Sequence, residues 1–246
     1  MNQPIAIITG ASRGIGAATA RLLASSGYDI CINYHNNHEK ANALASELRE
    51  FAINAITVRA DMGSEADIIR MFETVEQELG PVTALVNNAA LNRTHGSGAV
   101  EEMPWELIES VYRVNVFGVF IACREAVKHM KKAGGGAIVN VSSEAAKFGG
   151  NKMTHYASSK AAINTFTVGF AREAAAHNIR VNAVSPAVID TDAHTTASAE
   201  RLAGLKASIP MGRMGTAQEV AETIAWLLSD KASYVSGSIV SITGAR

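Results

Sequence analysis

A chain of 246 residues, 48% hydrophobic and 18% charged, can bury the core of one large α/β domain or two small ones and is too apolar for disorder. Its 22 basic and 23 acidic residues leave a net charge of −1 with no basic cluster, which argues against a nucleic-acid partner or an anionic membrane surface. Two cysteines, Cys31 and Cys123, lack C-x-x-C spacing and read as buried packing residues of a reducing compartment; the seven histidines form no metal-ligand pattern, so no metal is expected.

Strand-like sequence starts at Pro4 or Ile5 with "IAIIT", leaving no room for a leader, so a cytoplasmic protein is expected. "TGASRGIG" follows, and the pattern then predicts a helix over roughly 14–26. A second strand, "DICIN", precedes a helix at roughly 38–51; a third, "AITVR", precedes one at roughly 64–79. The fourth strand, "TALVNN", leads to a helical stretch over roughly 104–132 that is long enough for two helices. Within it the apolar run "VFGVFIAC" is too short to span a bilayer, so no membrane partner is expected. After "AIVNVS" comes a helix over roughly 156–177, then "IRVNAVS", a helix at roughly 216–229 and a last strand, "GSIVSI".

Short, continuously apolar strands alternating with helices predict an α/β, Rossmann-type doubly wound parallel sheet of about seven strands, with helices on both faces. Ligands of such sheets bind at the carboxyl ends of the strands. No linker, repeat or composition shift interrupts the series, so residues 1–246 are read as a single domain.

Three glycines, Gly10, Gly14 and Gly16, occupy the turn between the first strand and the first helix. They allow a tight exit and a close backbone approach, and the helix N-terminus offers N–H groups to a pyrophosphate. The loop suits a dinucleotide. Further on, "YASSK" puts Tyr156 and Lys160 four positions apart, on one face of a helix. That pair alone carries no functional weight.

The loop "TGASRGIG" has the T-G-x-x-x-G-x-G spacing of the short-chain dehydrogenases/reductases, and "NNAA", "VNV", "VNVSS", "YASSK" and "VSPAVIDT" follow in that family's order. The chain therefore resembles this family over its whole length, in the branch of the 3-oxoacyl-carrier-protein reductases and glucose dehydrogenases. The resemblance implies interconversion of a carbonyl and a secondary alcohol on a small-molecule substrate, with nicotinamide supplying the hydride. It implies Tyr156 as acid/base, its pKa drawn down by the Lys160 ammonium. Ser143 would hold the substrate oxygen, favoured over Ser142 by family spacing and strand alternation, and Asn115 would position a relay water.

The resemblance further implies cofactor contacts from Gly10, Ser12, Arg13, Gly14, Ile15 and Gly16 in the first loop. Tyr34 and His35 follow the second strand, Asp61 and Met62 the third, and Asn88, Ala89 and Ala90 the fourth; Tyr156, Lys160, Pro186, Val188 and Thr191 complete the set. Strand two ends in Tyr34 where NAD-specific folds carry an acid, and Arg13 resembles the basic residue that contacts a 2′-phosphate, so NADP(H) is favoured over NAD(H). Ala90 and Ala187 replace family glycines, which is harmless if φ is negative and strained if it is positive. Glu144 is expected either to face substrate, where it would repel an anion, or to be a capping or solvated acid. Substrate contacts are also expected from "LNRTHGSG" and from residues 192–210. Excess apolar surface on the two long helices agrees with the family's homotetramers. The alternatives are a cofactor-sensing protein that has lost its chemistry and an NAD-preferring sugar or alcohol dehydrogenase.

Overall fold

The computed structural model describes residues 3–91, 98–191 and 199–246. Its strands are β1 (Ile5–Ile8), β2 (Asp29–Tyr34), β3 (Ala55–Arg59), β4 (Ala84–Asn87), β5 (Gly136–Val141), β6 (Ile179–Pro186), a short pair β7 (Ile189–Asp190) and β8 (Gly215–Thr216), and β9 (Ile239–Ile242). Seven of them form a parallel sheet in the order β3-β2-β1-β4-β5-β6-β9. All seven strands expected from sequence are present in it.

Every residue of β1, β2 and β4 is buried, because helices cover both faces. Alternation divides the strand residues between two cores. Ala6 and Ile8 join Leu23, Ile30, Leu44 and Ile224 on one side of the sheet, whereas Ile5 and Ile7 join Met71, Phe72, Leu85 and Met130 on the other. The first core is shared with helices α1 (Gly14–Ser25) and α2 (His38–Leu48), the second with α3 (Glu65–Glu78).

The stretch expected to hold two helices is α4 (Trp105–Tyr112) and α5 (Gly118–Ala133), joined by a π-helical turn, Arg113–Phe117, instead of a loop. Gly118 is required where α5 crosses the turn after β3, since a Cβ there would lie 2.0 Å from the Met62 carbonyl oxygen. Two short helices escaped the pattern reading, α6 (Ala145–Phe148) and α8 (Ala199–Ala207). The first offers too few turns for a 3.6-residue period to register. Helix α7 (Thr154–Ala174) carries Tyr156 and Lys160, and α9 (Ala217–Leu228) starts on a capping box between Thr216 and Glu219. Among the described residues, no helix is long and apolar enough to cross a membrane.

Strands β2 and β4 flank β1, so the chain reverses its direction of winding there, and the crevice opens at the carboxyl ends of β1 and β4.

Candidate active site

Beyond β1 the chain turns on Gly10 (φ 62°) and Gly14 (φ 57°), both left-handed. Gly16 is a glycine for a different reason. A Cβ there would stand 2.7 Å from the Asn88 side-chain nitrogen, 2.8 Å from the Ala11 Cα and 2.9 Å from the Gly10 oxygen. Helix α1 then begins with no side-chain cap and no acid in its first turn, so its N-terminal N–H groups and dipole face an anion unopposed.

This loop is tied to the "NNAA" segment through Thr9, a residue whose role the sequence reading missed. Its hydroxyl donates to the Val86 carbonyl (3.3 Å) and accepts from the N–H groups of Asn88 and Ala89, both at 2.9 Å. The Asn88 side chain donates back to the carbonyls of Thr9 (2.8 Å) and Gly10 (3.2 Å). A second unanticipated brace is buried Asn33, which accepts from the Gly10 N–H (3.1 Å) and donates to the carbonyls of Val58 and Ala60. Its own carbonyl accepts from the Ala11 N–H (2.9 Å), which clamps the loop onto the end of β2. The signal was a buried-strand position holding a polar residue, which must find partners.

At the end of β2, Tyr34 is buried with its hydroxyl 2.6 Å from His38 Nδ1. Asn42 accepts from the Thr57 hydroxyl (2.9 Å), which turns its NH₂ toward His38 Nε2 (2.9 Å). His38 thus bridges Tyr34 and Asn42 through its two ring nitrogens. His35 and Arg13 are exposed. Asp61 accepts from the Gly63 N–H (2.8 Å), and it is Glu65 and Asp67, behind the N-cap Ser64, that charge the start of α3. Met62 lies in the core on the α3 side.

Beside the glycine loop opens a cleft of about 190 Å³, lined by Ile15, Asn88, Ala90, Val141, Ser142, Ser143, Tyr156, Lys160, Pro186, Ala187, Ile189 and Thr191. Thr191 closes on the loop, its methyl 3.7 Å from where a Gly14 Cβ would be. Val188 does not line the cleft and instead accepts from the Gly215 N–H. Ala90 and Ala187 both have negative φ, so neither alanine is strained.

The cleft brings Ser143, Tyr156 and Lys160 together. Ser142 turns its hydroxyl away onto the Lys160 carbonyl (3.2 Å), whereas Ser143 accepts from the Ala145 N–H (3.2 Å) and lines the cleft beside the Tyr156 phenol. Lys160 is buried, its Nζ 5.8 Å from the Tyr156 ring centre and donating to the Val141 carbonyl at 2.7 Å. Burial pulls its ammonium down to about 8. The expected depression of the Tyr156 pKa is not found: part of the ring is exposed, but burial by the surrounding protein raises the phenol above its ordinary value and Ser143 only opposes this. Burial disfavours the charged form of both groups.

Asn115, fully buried in the π-helical turn, stands behind the cleft. It accepts from the Leu91 N–H (2.8 Å) and donates to the Leu91 carbonyl and the Ser159 hydroxyl, both at 3.1 Å. Glu144 is neither a solvated nor a capping acid: it is buried, and its carboxylate accepts from the Ser241 hydroxyl on β9 (2.7 Å). Within the expected substrate segments, residues 92–97 and 192–198 lie outside the described residues.

Residues 10–244 match a family model described as enoyl-(acyl carrier protein) reductase. The chain is 45% identical to an uncharacterised oxidoreductase, YgfF, of Escherichia coli K12, over 98% of this chain and 99% of that protein. It is 34% identical to the 3-oxoacyl-[acyl-carrier-protein] reductase FabG of Staphylococcus aureus, over 97% and 96% of the two chains. Among solved structures, the acetoin dehydrogenase YohF of Salmonella typhimurium superposes with a TM-score of 0.89 at 33% identity, covering 100% of this chain and 97% of that one.

Proposed function

Given that the chain belongs to the short-chain dehydrogenase/reductase family and is an NAD(P)-dependent oxidoreductase, we propose that it interconverts a carbonyl and a secondary alcohol, with Tyr156 as acid/base and NADP(H) as the favoured cofactor. One observation carries this reading: Tyr156, with the Lys160 Nζ 5.8 Å from its ring centre, shares with Ser143 a cleft beside the glycine loop.

The residues present fit a dinucleotide. The two left-handed glycines and the uncapped start of α1 would take its pyrophosphate, and Ile15, Asn88, Ala90, Pro186 and Thr191 would line its path to the cleft. Bound there, the nicotinamide supplies the hydride in reduction and takes it up in oxidation. In reduction Tyr156 gives its phenolic proton to the carbonyl oxygen; burial keeps the phenol protonated at neutral pH but, by raising its pKa, also makes it a weaker acid than a free phenol. Ser143 donates to the same oxygen as negative charge develops on it. Lys160 would hold the nicotinamide ribose and return a proton to Tyr156, and Asn115 sits in the π-helical turn where a relay water would enter.

NADP(H) is favoured because β2 ends in Tyr34, with no acid there to repel a 2′-phosphate, and because the exposed Arg13 heads α1 beside it. Names of two similar proteins, a 3-oxoacyl-[acyl-carrier-protein] reductase and an acetoin dehydrogenase, give the substrate classes to try first. NADPH consumption against 3-oxoacyl thioesters, diketones and simple ketones is the test. Tyr156→Phe should lower kcat/KM roughly a hundredfold or more while leaving NADPH affinity within about threefold. Turnover near that of the unmodified enzyme would overturn the assignment of Tyr156.

A further inference from the structure

Arg59 closes β3 opposite Tyr34 in the parallel register, exposed, with its Nε donating to the His35 carbonyl at 3.2 Å. Residues Ala55, Thr57 and Arg59 share one face of the strand, and Thr57 already meets Asn42 of α2, so Arg59 lies on the α2 side of the sheet. From β1, on the other flank of β2, the glycine loop reaches the same strand end through the bonds from Gly10 and Ala11 to Asn33. Arg59 thus sits on the carbonyl of His35 at the carboxyl end of β2, and Arg13, exposed, follows two residues beyond Ala11 in the loop bound to the same strand end. No acid interrupts residues 33–38 between them.

We infer that Arg59 is a second specificity-determining cation of this enzyme, contributing with Arg13 to a bracket around the 2′-phosphate of NADP(H); this rests on the cofactor reading above. Anchoring Nε on a backbone carbonyl fixes the plane of the guanidinium and leaves its NH₂ groups for phosphate oxygens, the geometry in which arginine surpasses lysine. The bond also couples the cation to the loop 35–37, so the loop's backbone and Arg59 respond to the same ligand.

Titration calorimetry with 2′,5′-ADP and 5′-AMP isolates this contact from catalysis. The unmodified protein should bind 2′,5′-ADP more tightly than 5′-AMP. Arg59→Gln, whose amide can keep a bond to the His35 carbonyl, should weaken 2′,5′-ADP roughly five- to thirtyfold and leave 5′-AMP unchanged. Arg59→Lys should recover part of the loss, and the salt dependence of 2′,5′-ADP binding should become shallower in the glutamine variant. If the unmodified protein discriminates but Arg59→Gln does not alter the ratio, Arg59 is not the second cation, although the NADP(H) reading stands. Equal weakening of both ligands would show a merely structural arginine. If the unmodified protein fails to discriminate, the NADP(H) reading falls and the role of Arg59 falls with it.

Discussion

Lys160 occupies a position that costs stability. Moving its ammonium out of water lowers the pKa from 10.5 to about 8, so the folded protein releases this proton more readily than the unfolded chain. The penalty is present in full below about pH 8 and is relieved as pH rises from there to about 10.5. Lys160→Met should therefore be more stable than the unmodified protein at pH 7, by about 1–2 kcal/mol once the orphaned Val141 carbonyl is counted against it, and the gap should close by about pH 10. Chemical denaturation at the two pH values measures both. Activity should be lost in the same variant, and the activity of the unmodified enzyme should change slope near the lysine's own titration at about 8. A variant less stable at both pH values would show that the hydrogen bond to Val141 outweighs desolvation.

At the level of elements, the strand-to-helix junctions carry the site. Glycine at position 16 lets α1 pack against Asn88 and Ala11, and the added methyl of Gly16→Ala would collide with both, including an immovable backbone atom. That overpacking should cost about 1–3 kcal/mol and pull the loop away from "NNAA", weakening the cofactor along with the fold. The capping box of α9 offers a contrast of similar size but different effect. Thr216→Ala removes a hydroxyl that caps the Glu219 N–H on an exposed helix start outside the cleft lining, and should cost about 1 kcal/mol with cofactor affinity unchanged. Thermal melts with and without NADPH separate the two: only the Gly16 variant should lose part of its ligand-induced shift.

For the whole molecule, the arrangement of aromatic side chains predicts self-association. Phe117 and Phe120 are 56% and 48% exposed, and Phe120 meets Phe166 of α7 at 4.0 Å, which stacks on Phe170 at 5.1 Å. A second apolar group, Trp226, Tyr234 and Ile239, accompanies the open edge of the sheet at β9. Two such faces suit a homotetramer, for which light scattering should report about four times the chain mass. Phe120→Asp should halve that mass by placing charge in one face, while the other face still pairs. A stable monomer at micromolar concentration in the unmodified protein would refute the tetramer.

Local pattern was sufficient wherever a residue's neighbours in space are also its neighbours in the chain. Continuous apolar runs marked the seven strands of the sheet, glycines at 10 and 14 marked a turn that only positive φ can make, and four-residue spacing put Tyr156 and Lys160 on one helical face. Alternation also separated the two serines, and the Ser142 hydroxyl turns onto the Lys160 carbonyl. Contacts between distant segments were not legible in this way. Thr9 holds Asn88 and Ala89 from 79 and 80 positions away, and Ser241 captures Glu144 across 97. Only the packed sheet brings those groups within reach. It likewise decided protonation, since the depth at which Tyr156 and Lys160 lie, and therefore the sign of each pKa shift, depends on every segment that excludes water from the cleft.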